Sequence, residues 1–223
     1  GAPAQVTLAL SLPEMNEVTR AALSDEDASR VNTLWIGLYD QQSGKRKATS
    51  YIPDVGKSLN HDMQKVTLNT TAGYTRIVAV ANIDSNYGVS DHPDAKSDGS
   101  LQTLKTLLDA ADDWSKFTAM ASLTDTADID RLTPNLVMSG VYYAGNNHDK
   151  NMDWSEANEA AVYVGAGKVT LPGAIHLRRL SANVRFNFIA GKTADGEPVT
   201  FEPLNWQVYN VPVLSHLHEQ PEN

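Results

Sequence analysis

Residues 6–12, VTLALSL, put Val6, Leu8, Leu10 and Leu12 on one side of an extended chain and Thr7, Ala9 and Ser11 on the other. Successive side chains of a strand point to opposite faces, so this alternation predicts a half-buried strand. It recurs in QKVTLNT (64–70), after which Gly73 marks a turn into YTRIVAVANI (74–83). LWIGLYD (34–40) is more uniformly apolar and reads as a central strand. LVMSGVYYAG (136–145), AVYV (161–164), GKVTLPG (167–173), IHLRRLSANVRFNFIA (175–190) and LNWQVYNV (204–211) continue the series. About nine strand candidates, bounded mostly by Gly, Pro, Asn and Asp, predict an all-β sandwich or barrel.

Two helical stretches interrupt the strands. In residues 24–31, SDEDASRV, Ser24 suits an N-cap, and Asp25, Glu26 and Asp27 complement the positive end of a helix. In residues 100–114, Leu101, Leu104, Leu107, Leu108 and Ala111 form one apolar stripe, expected to cap or cross a sandwich end. Two long polar connections, 84–99 and 145–159, read as loops. The first strand is followed by a soft polar segment, 16–23, in which Arg20 is the only basic residue.

A length of 223 residues fits one large all-β domain or two small ones. Eighteen basic against 27 acidic residues leave a net charge of −9, which disfavours nucleic acid and anionic membrane surfaces as partners. The absence of cysteine excludes disulfides, thiolate zinc sites and cysteine nucleophiles. No run approaches the roughly 20 apolar residues of a membrane-spanning helix. No signal peptide is visible, but Gly1 reads as a remnant of tag removal, so the absence of a targeting segment carries no weight.

Little in the chain carries catalytic chemistry. Asp84, Asp91, His92, Asp94 and Asp98 share one loop, but their spacing does not match a twelve-residue calcium loop, and a solvated acidic loop is expected. His148, Asp149 and Asp153 lack a second histidine at helical spacing. No G-x-S-x-G elbow occurs, and GAGK (165–168) is too short for a phosphate-binding loop. No enzyme, cofactor or metal is therefore expected. His176 and Arg178 fall on one strand face, with Leu177 and Arg179 on the other, and read as charge on an edge strand or sheet face. A surface glycan-binding module is the alternative to a structural role. Trp114, Trp154, Trp206, Tyr142 and Tyr143 are its candidate platforms, and Trp154, in a loop, is the foremost candidate ligand contact.

Several segments, taken in order, resemble one family. The leading strand followed by TRAALSDEDASRVNTLWIGLYD (19–40) is similar to the leading region of fimbrillins, the pilin subunits of Bacteroidales fimbriae (type V pili). NLVMSG resembles their Pro-Met-Ser-Gly strand, with Val137 where proline is common. IHLRRLSANVRFNF resembles their Leu-x-Arg-x-Val-Ala-Lys-Val strand, with Ser181 and Asn183 departing from it, and WQVYNVPVLSHL resembles their closing Asn-Val-Pro segment. The resemblance implies an outer-membrane lipoprotein that becomes part of a cell-surface fimbrium with a role in adhesion. It implies transthyretin-like, Greek-key β-sandwich domains, of which residues 1–223 would be the N-terminal one, and a lipobox cysteine ahead of Gly1. It further implies that an Arg-directed maturation protease cuts between Arg20 and Ala21. Residues 1–20, carrying Val6, Leu8, Leu10 and Leu12, would then leave, and a strand from a neighbouring fimbrial subunit would take their place. Arg30, beside the short helix, is expected to be better protected. A host-cell or glycan ligand would be the remaining partner.

Overall fold

A computed structural model describes residues 1–11, 31–55, 65–84, 86–90, 102–123, 136–144, 154–180, 191–199 and 214–218. Among these, the first five strands are β1 (Pro3–Ser11), β2 (Leu34–Asp40), β3 (Arg46–Ile52), β4 (Lys65–Thr71) and β5 (Gly73–Ala81). They are followed by β6 (Tyr87–Ser90), β7 (Gln102–Thr103), β8 (Met120–Leu123), β9 (Met138–Tyr143), β10 (Val162–Val164), β11 (Gly167–Arg179) and β12 (Leu214–His216). The helices are short: α1 (Leu104–Ala110), α2 (Trp114–Thr118) and α3 (Trp154–Glu159).

The larger sheet runs β3-β2-β5-β9-β11-β1-β4, with β10 added beside β5. Among its described strands only the β1–β11 pair is parallel. The terminal strands β3 and β4 approach each other, so the sheet curls toward closure around an inner core. That core holds Val6, Leu8, Leu34, Ile36, Leu38, Leu68, Ile77, Ile175 and Leu177. A second cluster, with Trp35, Tyr39, Val78, Val80, Leu104, Leu108 and Phe117, lies on the outer face. Residues 34, 36 and 38 face inward while Trp35 and Tyr39 face outward, so β2 is buried on both sides; this is why its sequence does not alternate in polarity. A smaller sheet, β12-β8-β6-β7, together with α1 and α2, covers the outer cluster. The expected all-β, sandwich-like architecture is present, in a near-barrel form.

The apolar stripe of α1 behaves as its spacing predicts, with Leu104, Leu107 and Leu108 buried. The helix packs against the outer face of the large sheet, because that face carries aromatic side chains that need cover. The Tyr39 hydroxyl donates to the Ala111 carbonyl at 3.0 Å, and Arg46 Nη1 donates to the carbonyls of Leu108 and Asp109 at 3.1 and 3.0 Å, fastening the end of α1 to β2 and β3. Burial raises the Tyr39 hydroxyl far above the ordinary tyrosine value, so it stays a donor. Thr103 caps α1 through the Thr106 amide, and Asp113 caps α2 through the Lys116 amide at 3.0 Å.

Several readings of the sequence change. Residues 84–99 are not one loop, because Tyr87–Ser90 form β6 against β8. Asp84, considered there for calcium, accepts a 2.5 Å hydrogen bond from Tyr51; burial and then this bond push the Tyr51 hydroxyl up to about 12. GKVTLPG and the segment after it form one strand, β11, rather than two. Pro172 lacks an amide hydrogen, and the strand passes it by a bulge: Thr7 pairs with Thr170 but Ala9 with Ala174, and Gly173 takes φ of 76°. The Tyr142 hydroxyl donates to the Pro172 carbonyl at the same place. Finally, β11 is an interior strand, not an edge. His176 is buried there beside the Tyr143 ring, and Arg178 lies on the same face of the sheet. The helix expected over 24–31, the strand over 204–211 and the continuation over 181–190 fall wholly or mostly outside the described residues.

Candidate functional site: an interior first strand and its slot

The first strand is held on both edges. On one side it runs parallel to β11, with Val6 opposite Val169 and Leu10 opposite Ile175. On the other it runs antiparallel to β4, with Val6 opposite Leu68 and Leu8 opposite Val66. Its inward side chains Ala4, Val6 and Leu8 are buried, with Val6 at 0% and Leu8 at 1% exposure. Leu10 packs on the same core but is only partly buried. The outward face is polar: Gln5 Nε2 donates to Asn69 Oδ1 at 3.1 Å, and the Thr7 and Thr67 hydroxyls share a 3.0 Å hydrogen bond. Ser11, on that outward side, is nonetheless buried.

The sequence folds this way because the alternation of VTLALSL matches a sheet with one dry and one wet face. The two halves of the large sheet therefore differ. Strands β2 and β5 carry apolar side chains on both faces, whereas β1 and β4 carry them on one. The neighbours of β1 come from far along the chain, β4 from residues 65–71 and β11 from residues 167–179. Without β1 they would flank a slot one strand wide, each presenting an unpaired backbone edge over an apolar floor. Strand spacing of about 4.8 Å makes that slot about 10 Å across, the width that one extended chain fills. Among the described residues of the large sheet β4 pairs with β1 alone, so the first strand also anchors β4.

Val6, Leu8 and Leu10 thus converge on the inner core as one row. Leu12, Arg20 and Ala21 lie outside the described residues. Residues 154–159 form α3 rather than part of the loop read over 145–159, so Trp154 opens a helix instead of lying in a loop, and its side chain lies outside the described residues. The other proposed platforms that can be placed are packing residues. Tyr142 is buried in the inner core, and Trp114 packs edge-on or tilted against Tyr39, Phe117 and His218 with the Arg76 guanidinium 5.0 Å above its ring. Arg76 also pairs with Glu159 at 3.7 Å. Among the described residues, no cluster of three or more His, Asp or Glu side chains could hold a metal ion, and no helix is long and apolar enough to cross a membrane.

The model of the major fimbrial subunit protein (FimA) family matches residues 4–171, a span that opens within β1 and closes within β11. The chain belongs to that family. Its members are structural fimbrial subunits, and the resemblance read from the sequence is borne out at this level. No curated protein matches the chain. Among solved structures, the tip fimbrial protein Mfa3 from Porphyromonas gingivalis with C-terminal truncation is similar at 13% identity and a TM-score of 0.43, over 80% of this chain and 48% of that one. A fimbrial assembly protein from Parabacteroides distasonis ATCC 8503 is similar at 13% identity and a TM-score of 0.42, over 89% of this chain and 59% of that one. The chain therefore spans about half the length of these solved proteins.

Proposed function

We propose that this chain is a fimbrial subunit in its uncut form, assembled by donor-strand exchange. An Arg-directed protease cuts between Arg20 and Ala21, the segment carrying β1 leaves, and a strand from a neighbouring subunit fills the slot between β4 and β11. One observation carries the reading: β1 lies upstream of the Arg20–Ala21 bond, yet it sits inside the sheet, paired on both edges and buried along one face. Removing an edge strand leaves one free edge. Removing this one leaves two facing edges and an apolar floor, which another extended chain satisfies through main-chain bonds and alternate side chains. The precursor would be an exported outer-membrane lipoprotein and the mature subunit part of an adhesive surface fimbrium. Residues 1–223 serve as the N-terminal domain of such a subunit in this reading, and Trp154 is kept as a candidate ligand contact.

Titration of the folded chain with an Arg-specific protease, followed by mass analysis of the products, tests this. The expected first stable product begins at Ala21 and keeps its fold. Resistance of the Arg20–Ala21 bond, or collapse of the fold on cutting, would overturn the proposal.

A further inference from the structure

Among the described residues, the most exposed aromatic side chains lie away from the slot. Tyr74 of β5 and Tyr163 of β10 are 58% and 59% exposed, and they are direct cross-strand partners. Their ring centroids are 5.3 Å apart with planes inclined at 65°, so the rings form a corner open to solvent. Beside Tyr74 lies an open cleft of about 580 Å³ lined by Asp40, Gln41, Gln42, Gly73 and Tyr74. The turn that supplies Asp40 to Gln42 is fixed: the Ser43 amide and hydroxyl donate to Asp40 Oδ1 at 2.8 and 2.9 Å, and the Gln41 amide donates to the Tyr74 carbonyl at 3.0 Å.

We propose that the Tyr74–Tyr163 corner and this cleft bind a neutral oligosaccharide. Pyranose rings with equatorial substituents present axial C–H groups that pack on an aromatic face, while their hydroxyls need planar amide and carboxylate partners at the rim. Gln41, Gln42 and Asp40 are such partners. One charge of each sign stands by the cleft, Asp40 in its lining and the Lys47 ammonium beside Gly73, donating to Thr75 Oγ1 at 2.8 Å, so this pair singles out neither an anionic nor a cationic ligand. Two rings are a small fraction of the roughly 800 Å² per partner of a stable protein interface, which favours a small ligand over a protein. The turn that carries Asp40, Gln41 and Gln42 is held by its own hydrogen bonds, which suits a small-molecule site. It is independent of strand exchange, since neither β5 nor β10 pairs with β1.

A cross-strand tyrosine pair can also exist only to hold two strands together. Backbone-amide NMR titration with cellohexaose, maltohexaose and mannohexaose separates the roles. At least one sugar is expected to move the amide signals of Gly73, Tyr74 and Tyr163 saturably. Y74A/Y163A should weaken that binding about tenfold or more, the scale of a lost stacking contact. Y74F/Y163F, which keeps the rings, should bind within about threefold of the unaltered chain. No movement at these amides with any of the three sugars, or undiminished binding by a folded Y74A/Y163A variant, would overturn the proposal.

Discussion

If β1 is held by its inward row, Leu8→Ala should be far more damaging than a change one residue earlier. Leu8 is fully buried in the inner core, opposite Val66 of β4. The substitution removes about three carbon groups at ~0.8 kcal/mol each, or ~2.4 kcal/mol of lost transfer energy. The cavity left behind adds to this, because β4 and β11 hold their positions on either side, and the total should reach ~3 to 4 kcal/mol. Thr7→Ala removes only an exposed hydroxyl pair with Thr67 and should cost ~0.5 kcal/mol. For a domain of this size each 1 kcal/mol lowers the melting temperature by about 2–4 °C, so Leu8→Ala should melt ~10 °C lower and Thr7→Ala ~2 °C lower. Differential scanning calorimetry and urea unfolding read both. Equal shifts for the two variants would refute the inward-row reasoning, since they would mean that the buried face of β1 contributes no more than its wet face.

Other outcomes follow from the same geometry. Arg46→Ala leaves the Leu108 and Asp109 carbonyls without their guanidinium and should cost ~1–2 kcal/mol in urea unfolding, with amide exchange accelerated in α1 first. Tyr39→Phe keeps the ring but orphans the buried Ala111 carbonyl and should cost ~1–2 kcal/mol by the same assay. Gly140→Ala drives a Cβ into the His176 carbonyl of β11 and should cost ~3 kcal/mol or prevent soluble expression. Asp113, held below its ordinary value of 3.8 by the Ser115 hydroxyl and then the Lys116 amide, stabilises the folded state above that value, and the contribution fades as pH falls through its lowered folded value. Asp113→Asn should therefore flatten part of the acid limb of a stability–pH profile, while Asp113→Ala also costs about 1 kcal/mol of capping at neutral pH.

What the sequence revealed, and what it concealed, follow from how each element is solvated. β1 and β4 alternate because one face is dry and one wet, and the leucine stripe of α1 is visible because a single face is covered. β2 is recognisable by its lack of polar positions, the mark of burial on both sides. β3, RKATSYI, is half-exposed along its length and has no apolar period to detect. The strands of the small sheet are two to four residues long, shorter than any pattern can establish. The proline that divided β11 on paper is accommodated by a bulge, which depends on the partner strand rather than on local sequence. The order of strands is a pairing of distant segments, so the interior position of β1 could not be read from residues 3–11. The exposed Tyr74–Tyr163 corner was missed for the same reason: cross-strand register, not composition, brings the two rings together.

The most direct test of strand exchange is to cut the chain at Arg20–Ala21 and challenge it with a fluorescent peptide carrying residues 1–12, GAPAQVTLALSL. The cut protein should take up the peptide into a stable complex, the uncut protein should not, and a peptide with Leu8→Asp should fail to enter. No uptake by folded cut protein, or equal uptake by cut and uncut protein, would contradict strand exchange.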